Sequence, residues 1–600
     1  MQPHDNHDTY NSNDRSRDSM DRVVLTVLIV AILGLGIYLL VAKFHVRREQ
    51  LVEGSIYLGC GLGAAYSVAR YCRDYKEKCK RNLSRLRIHI PCDRHEENIQ
   101  TAFARNSSLA GYNAATKRKV LWSDEVRTLQ SILIGKSGFG KTTFMRSLAG
   151  QDARRVFDTG ARKRHMPMII LDGKGDREFI DRLIEDFAAA GRLQDVRLLD
   201  PSRPELSVRY NPLYVADDGD SYQEYVNFIF ESFGLKQDFF KDHQATYFND
   251  LVRVLNHTGK RHNVYDVLVM ALDPIVMGEQ VEAAIHRAEN ESGVTTQQRL
   301  NLQMSVRNLW QSFQDNERVT KIQGLLNPLM TFLEDKLSII TGPYDQLLTL
   351  SDVFDQDLIL LVPLNANTNE RAISALGRIL LKNLQLMVGQ RYEKAARMRD
   401  GMPPVSVILD EFSTFAYPSF PRILETARGS NVSFLFSVQS VAALDTVSPI
   451  FRANLTAAPS TIMLMQSWDP ASTEYFQESA PSIPVEHLNV NLEERGWLWK
   501  KYERTGKATS RTIEEPRVPQ TEIGHLPRGQ MHMLMADPRG KPRYVRLYVP
   551  PPGTASLPCF KPMVYPPVPA SNWRTEGANL RFKDLDFLKK FPRISGRRGA

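Results

Sequence analysis

The 600 residues include 77 Lys and Arg against 68 Asp and Glu, a formal charge of +9, and 42% are hydrophobic. Such a chain can build a large core spread over several domains, and its basic balance favours an anionic partner, nucleic acid or membrane surface. The five cysteines are odd in number and form no Cys-x-x-Cys, which excludes a disulfide framework and points to a reduced, cytoplasmic main body. Cys92 and His95 have a ligand-like spacing, but no second pair completes a zinc site.

Residues 23–42 are twenty uncharged residues rich in Val, Leu and Ile, behind a polar tail of 22. At 1.5 Å per residue they span about 30 Å, a hydrocarbon core, and the run is too long for a cleaved leader. Residues 51–69 hold one charge, Glu53, and a small-xxx-small pair in Gly59 and Gly63. Two readings stand: a two-helix hairpin, or one span and an interfacial segment. Residues 70–89 hold eight Lys/Arg against two acids, a cytoplasmic flag by the positive-inside rule. The connector 43–50 is basic too (Lys43, Arg47, Arg48), which conflicts with an outside location for it. Everything after residue 70 is expected in the cytoplasm.

Next comes Gly135-Lys136-Ser137-Gly138-Phe139-Gly140-Lys141-Thr142, a full phosphate-loop pattern. Ile132-Leu133-Ile134 leads in as a buried strand, and a helical stretch with Phe144 and Leu148 at i, i+4 follows. Glycines let backbone N–H groups turn around an anion, and the helix N-terminus adds partial positive charge. Lys141 is expected to reach the β- and γ-phosphates and the Thr142 hydroxyl to hold Mg²⁺.

Short apolar runs then recur at 168–171, 196–199, 358–362, 405–409, 434–438 and 461–465, with helical stretches between. This rhythm predicts a doubly wound α/β domain with a mostly parallel sheet, whose ligands bind at the carboxyl ends of the strands. It breaks between about 214 and 340. There Tyr247, Leu251 and Leu255 repeat at helical spacing and Asn263 is placed to cap a helix through Leu272, so an inserted all-helical domain is expected. Segments 530–536 and 543–549 flank Asp537-Pro538-Arg539-Gly540 and predict a hairpin closing the sheet. Residues 550–569 hold eight prolines, an extended linker. Residues 571–600 hold eight Lys/Arg against three acids, with Trp573, Phe582, Phe587 and Phe591 interspersed: a solvated tail, or a docking segment for a protein or nucleic acid.

The strand 405–409 ends in Asp410-Glu411. In phosphate-loop enzymes such a pair orients Mg²⁺ with the first acid and polarises the attacking water with the second, which indicates hydrolysis. Arg428 follows in Glu425-Thr426-Ala427-Arg428-Gly429, either a surface or capping arginine or one that reaches a neighbouring subunit's nucleotide. Gln439 ends the run 434–438, either bonding backbone or reporting on the γ-phosphate. Asp172-Gly173-Lys174-Gly175-Asp176 is either a solvated turn or one that approaches phosphates or substrate.

The order of these motifs, with Tyr210-Asn211-Pro212-Leu213 before the helical stretch, Leu409-Asp410-Glu411-Phe412, Ala427-Arg428-Gly429 and Val438-Gln439-Ser440, resembles the type IV coupling proteins, inner-membrane ATPases of bacterial conjugation and type IV secretion. The resemblance runs from about 100 to 550. It implies a RecA-like motor domain, a homo-hexamer around a channel, nucleotide at subunit interfaces, and an all-alpha domain that helps bind DNA or relaxase. It places Arg428 at the family's trans-acting arginine and Gln439 at its sensor. Phe139 stands where small residues are usual, and the tail is basic where several relatives carry acidic ones.

The expected organisation is therefore a tail and anchor (1–90), a nucleotide-binding domain in two parts (91–213 and 341–550), the helical insertion (214–340) and a linker with basic tail (551–600). The expected ATP-binding set is Gly135, Lys136, Ser137, Gly138, Phe139, Gly140, Lys141, Thr142 and Thr143; Thr142 and Asp410 hold Mg²⁺; Lys141, Asp410, Glu411, Arg428 and Gln439 are catalytic. The expected function is an inner-membrane ATPase that couples relaxase-bound single-stranded DNA to the components of a type IV secretion channel and pumps it. Two alternatives are a receptor for secreted effector proteins and a duplex DNA pump of the septal type.

Overall fold

The computed structural model describes residues 90–583 except 161, 215–220, 234–239, 292, 316, 334, 366–369, 398–401, 496–500, 537–539 and 552–576. The expected membrane segments 23–42 and 51–69, the basic run 70–89, and most of the linker and tail lie outside the described residues. Among the described residues no helix is long and apolar enough to cross a membrane.

The described strands, in chain order, are β1 (Ser107–Asn113), β2 (Lys119–Ser123), β3 (Ser131–Ile134), β4 (Val156–Asp158), β5 (Lys163–His165), β6 (Met168–Asp172), β7 (Val196–Leu198) and β8 (Ile359–Pro363). They continue as β9 (Val405–Asp410), β10 (Val432–Val438), β11 (Thr461–Leu464), β12 (Ile483–Arg495), β13 (Lys501–Glu515), β14 (Gln530–Ala536) and β15 (Pro542–Tyr548). Eleven of them form one sheet in the order β2-β1-β15-β14-β11-β3-β10-β9-β6-β8-β7. From β11 to β7 every pairing is parallel; from β14 to β2 every pairing is antiparallel. The protein is thus mixed α/β with a large parallel sheet.

The parallel strands are covered on both faces, so they read as continuous apolar runs. Ile132 and Ile134 of β3 enter one core and Leu133 the other. Helices Lys141–Arg154 and Arg177–Ala189 cover the Leu133 face through Phe144, Leu148, Ile180 and Leu183. The opposite face shares one continuous core with Leu251, Leu255 and Leu268 of the helices that run from Ser221 to Thr341. In that helical layer Asn263 and Asp266 form a reciprocal capping box for helix Val264–Leu272. Tyr210-Asn211-Pro212-Leu213 is the seam between layer and sheet: Asn211 Nδ2 donates to the His262 carbonyl at 2.8 Å, and the Tyr225 hydroxyl to the Pro212 carbonyl at 2.7 Å.

The hairpin expected near 530–549 forms as β14 and β15, but it does not close the sheet. Tyr112 and Asn113 of β1 pair with Tyr548 and Leu547, so β1 and β2 lie outside it. A second departure is the two-stranded ribbon β12–β13, 13 and 15 residues long, with a register shift between Val490 and Leu492. Its sequence is polar and gives no apolar run to announce it.

Residues 577–583 lie on the helical layer. Ala578 N–H donates to the Arg261 carbonyl at 2.7 Å, Leu580 N–H to Asp266 Oδ1 at 3.0 Å and Lys583 N–H to Asp273 Oδ2 at 2.5 Å. Asp273 is also the N-cap of helix Pro274–Asn290. The Phe582 ring meets Tyr265 edge-on, with centroids 6.4 Å apart.

Candidate functional site

The phosphate loop leaves β3, which lies between β10 and β11 in the sheet. Its shape depends on glycine at two points. A Cβ on Gly135 would stand 2.7 Å from Met465 Cβ, and Gly140 takes φ +113 as the N-cap of helix Lys141–Arg154. That helix is anchored behind the loop. The buried Arg127 guanidinium makes a bidentate pair with Asp152 (2.7 and 2.6 Å), donates to Ser108 Oγ at 2.9 Å, and lies 5.5 Å from the Trp122 ring centre.

Lys141 Nζ donates to the Gly135 carbonyl at 2.6 Å, folded back on the loop it closes. Burial lowers its pKa against the opposing pull of Glu411 and Asp410. The Thr142 hydroxyl makes no hydrogen bond among the described residues, and Thr143 follows it on the first turn of the helix. Gly138, with φ +83, has open space where a Cβ would stand. An inward lysine, free loop space and an unengaged hydroxyl on the first turn of the helix fit a triphosphate with its Mg²⁺.

The acidic tip stands two strands away. Glu411 follows β9, and its Oε1 accepts from Gln439 Nε2 at 2.6 Å and Lys174 Nζ at 3.0 Å, with Lys141 Nζ at 4.0 Å. Lys174 also donates to Ser137 Oγ at 3.3 Å, so the turn after β6 touches both the loop and the acid. Burial alone would depress the Lys174 pKa, but the bond to Glu411 and its charge outweigh that and raise it. Asp410 accepts from Ser437 Oγ at 2.5 Å; burial pushes its carboxyl up, while Ser437 and Lys141 pull it down. Asp172 is the register partner of Asp410 across β6 and β9. Burial pushes its carboxyl up to about 6, although the backbone N–H of Lys174 opposes the shift.

Lys141, Glu411 and Gln439 therefore come together around one carboxylate oxygen. Arg428 does not join them: it is the exposed C-cap of helix Pro421–Ala427 and makes no ion pair among the described residues. Ser437 was not singled out by sequence; its signal is the one hydroxyl inside the apolar run 434–438. The contact of Lys174 with Glu411 had no local signal, because it depends on β6 lying beside β9.

Strand, glycine loop, helix and a strand two places along the sheet tipped with two acids define a phosphate-loop NTPase fold. The family model for type IV secretory system conjugative DNA transfer matches residues 186–495, more than half of the chain, and the protein belongs to that family of type IV coupling proteins. The matched stretch includes Asp410, Glu411, Arg428 and Gln439 and begins after the phosphate loop. Among solved structures, the unbound monoclinic form of the bacterial conjugative coupling protein TrwBdeltaN70 is 13% identical, with TM-score 0.46, covering 75% of this chain and 91% of that one. Plasmid coupling protein TrwB in complex with ADP and Mg²⁺ is 13% identical, with TM-score 0.44, covering 72% and 88%. VirB4 of Thermoanaerobacter pseudethanolicus is 12% identical, with TM-score 0.41, covering 74% and 95%. None of the curated proteins matches.

Proposed function

We propose that this coupling protein hydrolyses ATP to move relaxase-bound single-stranded DNA toward a type IV secretion channel. The observation that carries the reading is the Glu411 carboxylate, gathered by Gln439 and Lys174 beside Lys141 at the mouth of the phosphate loop. The backbone of residues 135–142 and the Lys141 ammonium bind the phosphates of the substrate, and Thr143 borders them. Thr142 and Asp410 hold Mg²⁺, which when bound neutralises phosphate charge. Glu411 takes the proton of the attacking water. Gln439 and Lys174 hold the Glu411 carboxylate in place until the γ-phosphate arrives, and Gln439 then reports its loss.

In this reading the protein works as a RecA-like homo-hexamer at the inner membrane, anchored through residues 23–42, with its main body in the cytoplasm and the helices within 214–340 toward relaxase and DNA. The exposed Arg428 suits a role across a subunit boundary, where its charge stabilises the transition state of the neighbour's site. Channel contacts to the DNA backbone make binding sequence-tolerant and salt-sensitive.

The test is the ATPase rate of the purified protein with and without single-stranded DNA, together with transfer in cells carrying Glu411→Gln. The expected results are stimulation by DNA and loss of transfer. No stimulation, with transfer intact in the variant, overturns the motor and leaves a receptor for secreted proteins. Stimulation by duplex alone favours a duplex pump.

A further inference from the structure

The phosphate loop has two flanks, and the acids occupy only one. Glu411 and Gln439 follow β9 and β10; on the other flank the chain leaving β11 runs alongside the loop. Met465 N–H donates to the Ile134 carbonyl at 2.8 Å, and Lys136 N–H to the Gln466 carbonyl at 3.1 Å. Two residues later comes Trp468, a large aromatic that is 59% exposed. Its mounting is firm. Gln466 Nε2 bonds the Gly524 carbonyl at 2.8 Å, and Asp469, just beyond the ring, caps helix Pro470–Ser479 and accepts from Ser440 Oγ at 2.5 Å.

The ring has two neighbours of the right chemistry for a flat, electron-rich ligand. Lys136 of the phosphate loop places Nζ 5.1 Å from the Trp468 centroid, and the His525 ring stands edge-on at 6.2 Å and 79°. The segment that carries His525 is tied to the tip of the loop, where Gly529 N–H donates to the Phe139 carbonyl at 3.1 Å. Loop, tryptophan and histidine thus form one connected rim. Here β11, which leads to Trp468, lies three strand spacings from the acid-tipped β9, about 14 Å at the usual distance between strands, on the flank of the loop opposite the acids.

Resting on the reading of the loop as an ATP site, we propose that Trp468 is the stacking platform for the nucleobase, with His525 as its second wall and Lys136 bridging ring and phosphates. Every base presents a π-face, so the platform gives affinity without strong choice between purines.

The test compares the full-length protein with Trp468→Ala and Trp468→Phe, titrated by calorimetry with ATP, GTP and inorganic tripolyphosphate. Trp468→Ala is expected to weaken ATP and GTP about tenfold or more while tripolyphosphate binds as before, and Trp468→Phe to retain most of the affinity. Quenching of tryptophan fluorescence by ATP should be present in the wild type and much reduced in Trp468→Phe. Unchanged ATP affinity in Trp468→Ala overturns the platform. So does an equal loss of tripolyphosphate, which would mean that the ring only braces the loop. If the wild type binds neither ATP nor tripolyphosphate, the phosphate-loop reading itself fails and the base site falls with it.

Discussion

Glu411 holds a left-handed backbone conformation, φ +49 and ψ +48, which costs a non-glycine residue about 1–2 kcal/mol. The strain is held by the Glu411 N–H bond to Asp410 Oδ1 at 2.9 Å and by the side-chain contacts to Lys174 and Gln439. A glutamine there keeps shape and hydrogen bonding but accepts no proton. Glu411→Gln should therefore bind ATP normally and turn it over at least about a hundredfold more slowly, measured by equilibrium binding and steady-state hydrolysis. His532 makes a different prediction. It is fully buried in β14, with Nδ1 at 2.8 Å from the Tyr544 hydroxyl, and burial pushes its pKa down to about 3. Between pH 6.5 and 3 the unfolded chain binds a proton that the folded chain refuses, so stability is lost as pH falls through that window. The loss at pH 5 is about 2 kcal/mol. Burial lowers His262 to about 4, in the same direction. His532→Gln should flatten the fall in denaturant midpoint between pH 7 and 5; an unchanged slope would assign the acid sensitivity elsewhere.

At the level of elements, the helix behind the phosphate loop is positioned by a buried ion pair as well as by apolar packing. Arg127 and Asp152 are 3% and 0% exposed, and either one alone would be an unpaired buried charge. Arg127→Met should cost about 3–5 kcal/mol in urea unfolding, and adding Asp152→Leu should recover much of it. The elements that could be read from the chain were those whose signal is local. The runs at 168–171, 405–409 and 434–438 stand as β6, β9 and β10 because a strand covered on both faces must be apolar throughout. The phosphate loop could be read because its glycines and lysine are consecutive. What escaped was set by distant pairing. β1 and β2 enter the sheet through pairing with β15, the ribbon β12–β13 pairs only with itself and has no apolar run, and Lys174 meets Glu411 only because β6 and β9 are neighbours.

Across the whole molecule, the helices between Ser221 and Thr341 share their core with one face of the sheet, so a change in sheet geometry has an apolar route into them. The segment 577–583 adds a polar route. Its backbone satisfies one oxygen each of Asp266 and Asp273, both buried at helix starts. Ending the chain at residue 576 should lower the melting temperature and speed amide exchange at 263–277, while exchange in β3 stays as it was. Equal exchange in both proteins at 263–277 would mean that these caps hold without the segment. The segment 577–583 is thus a seal on a fold made some 310 positions earlier. A protease that removes residues 577–583 is registered in the helices long before it arrives at the motor.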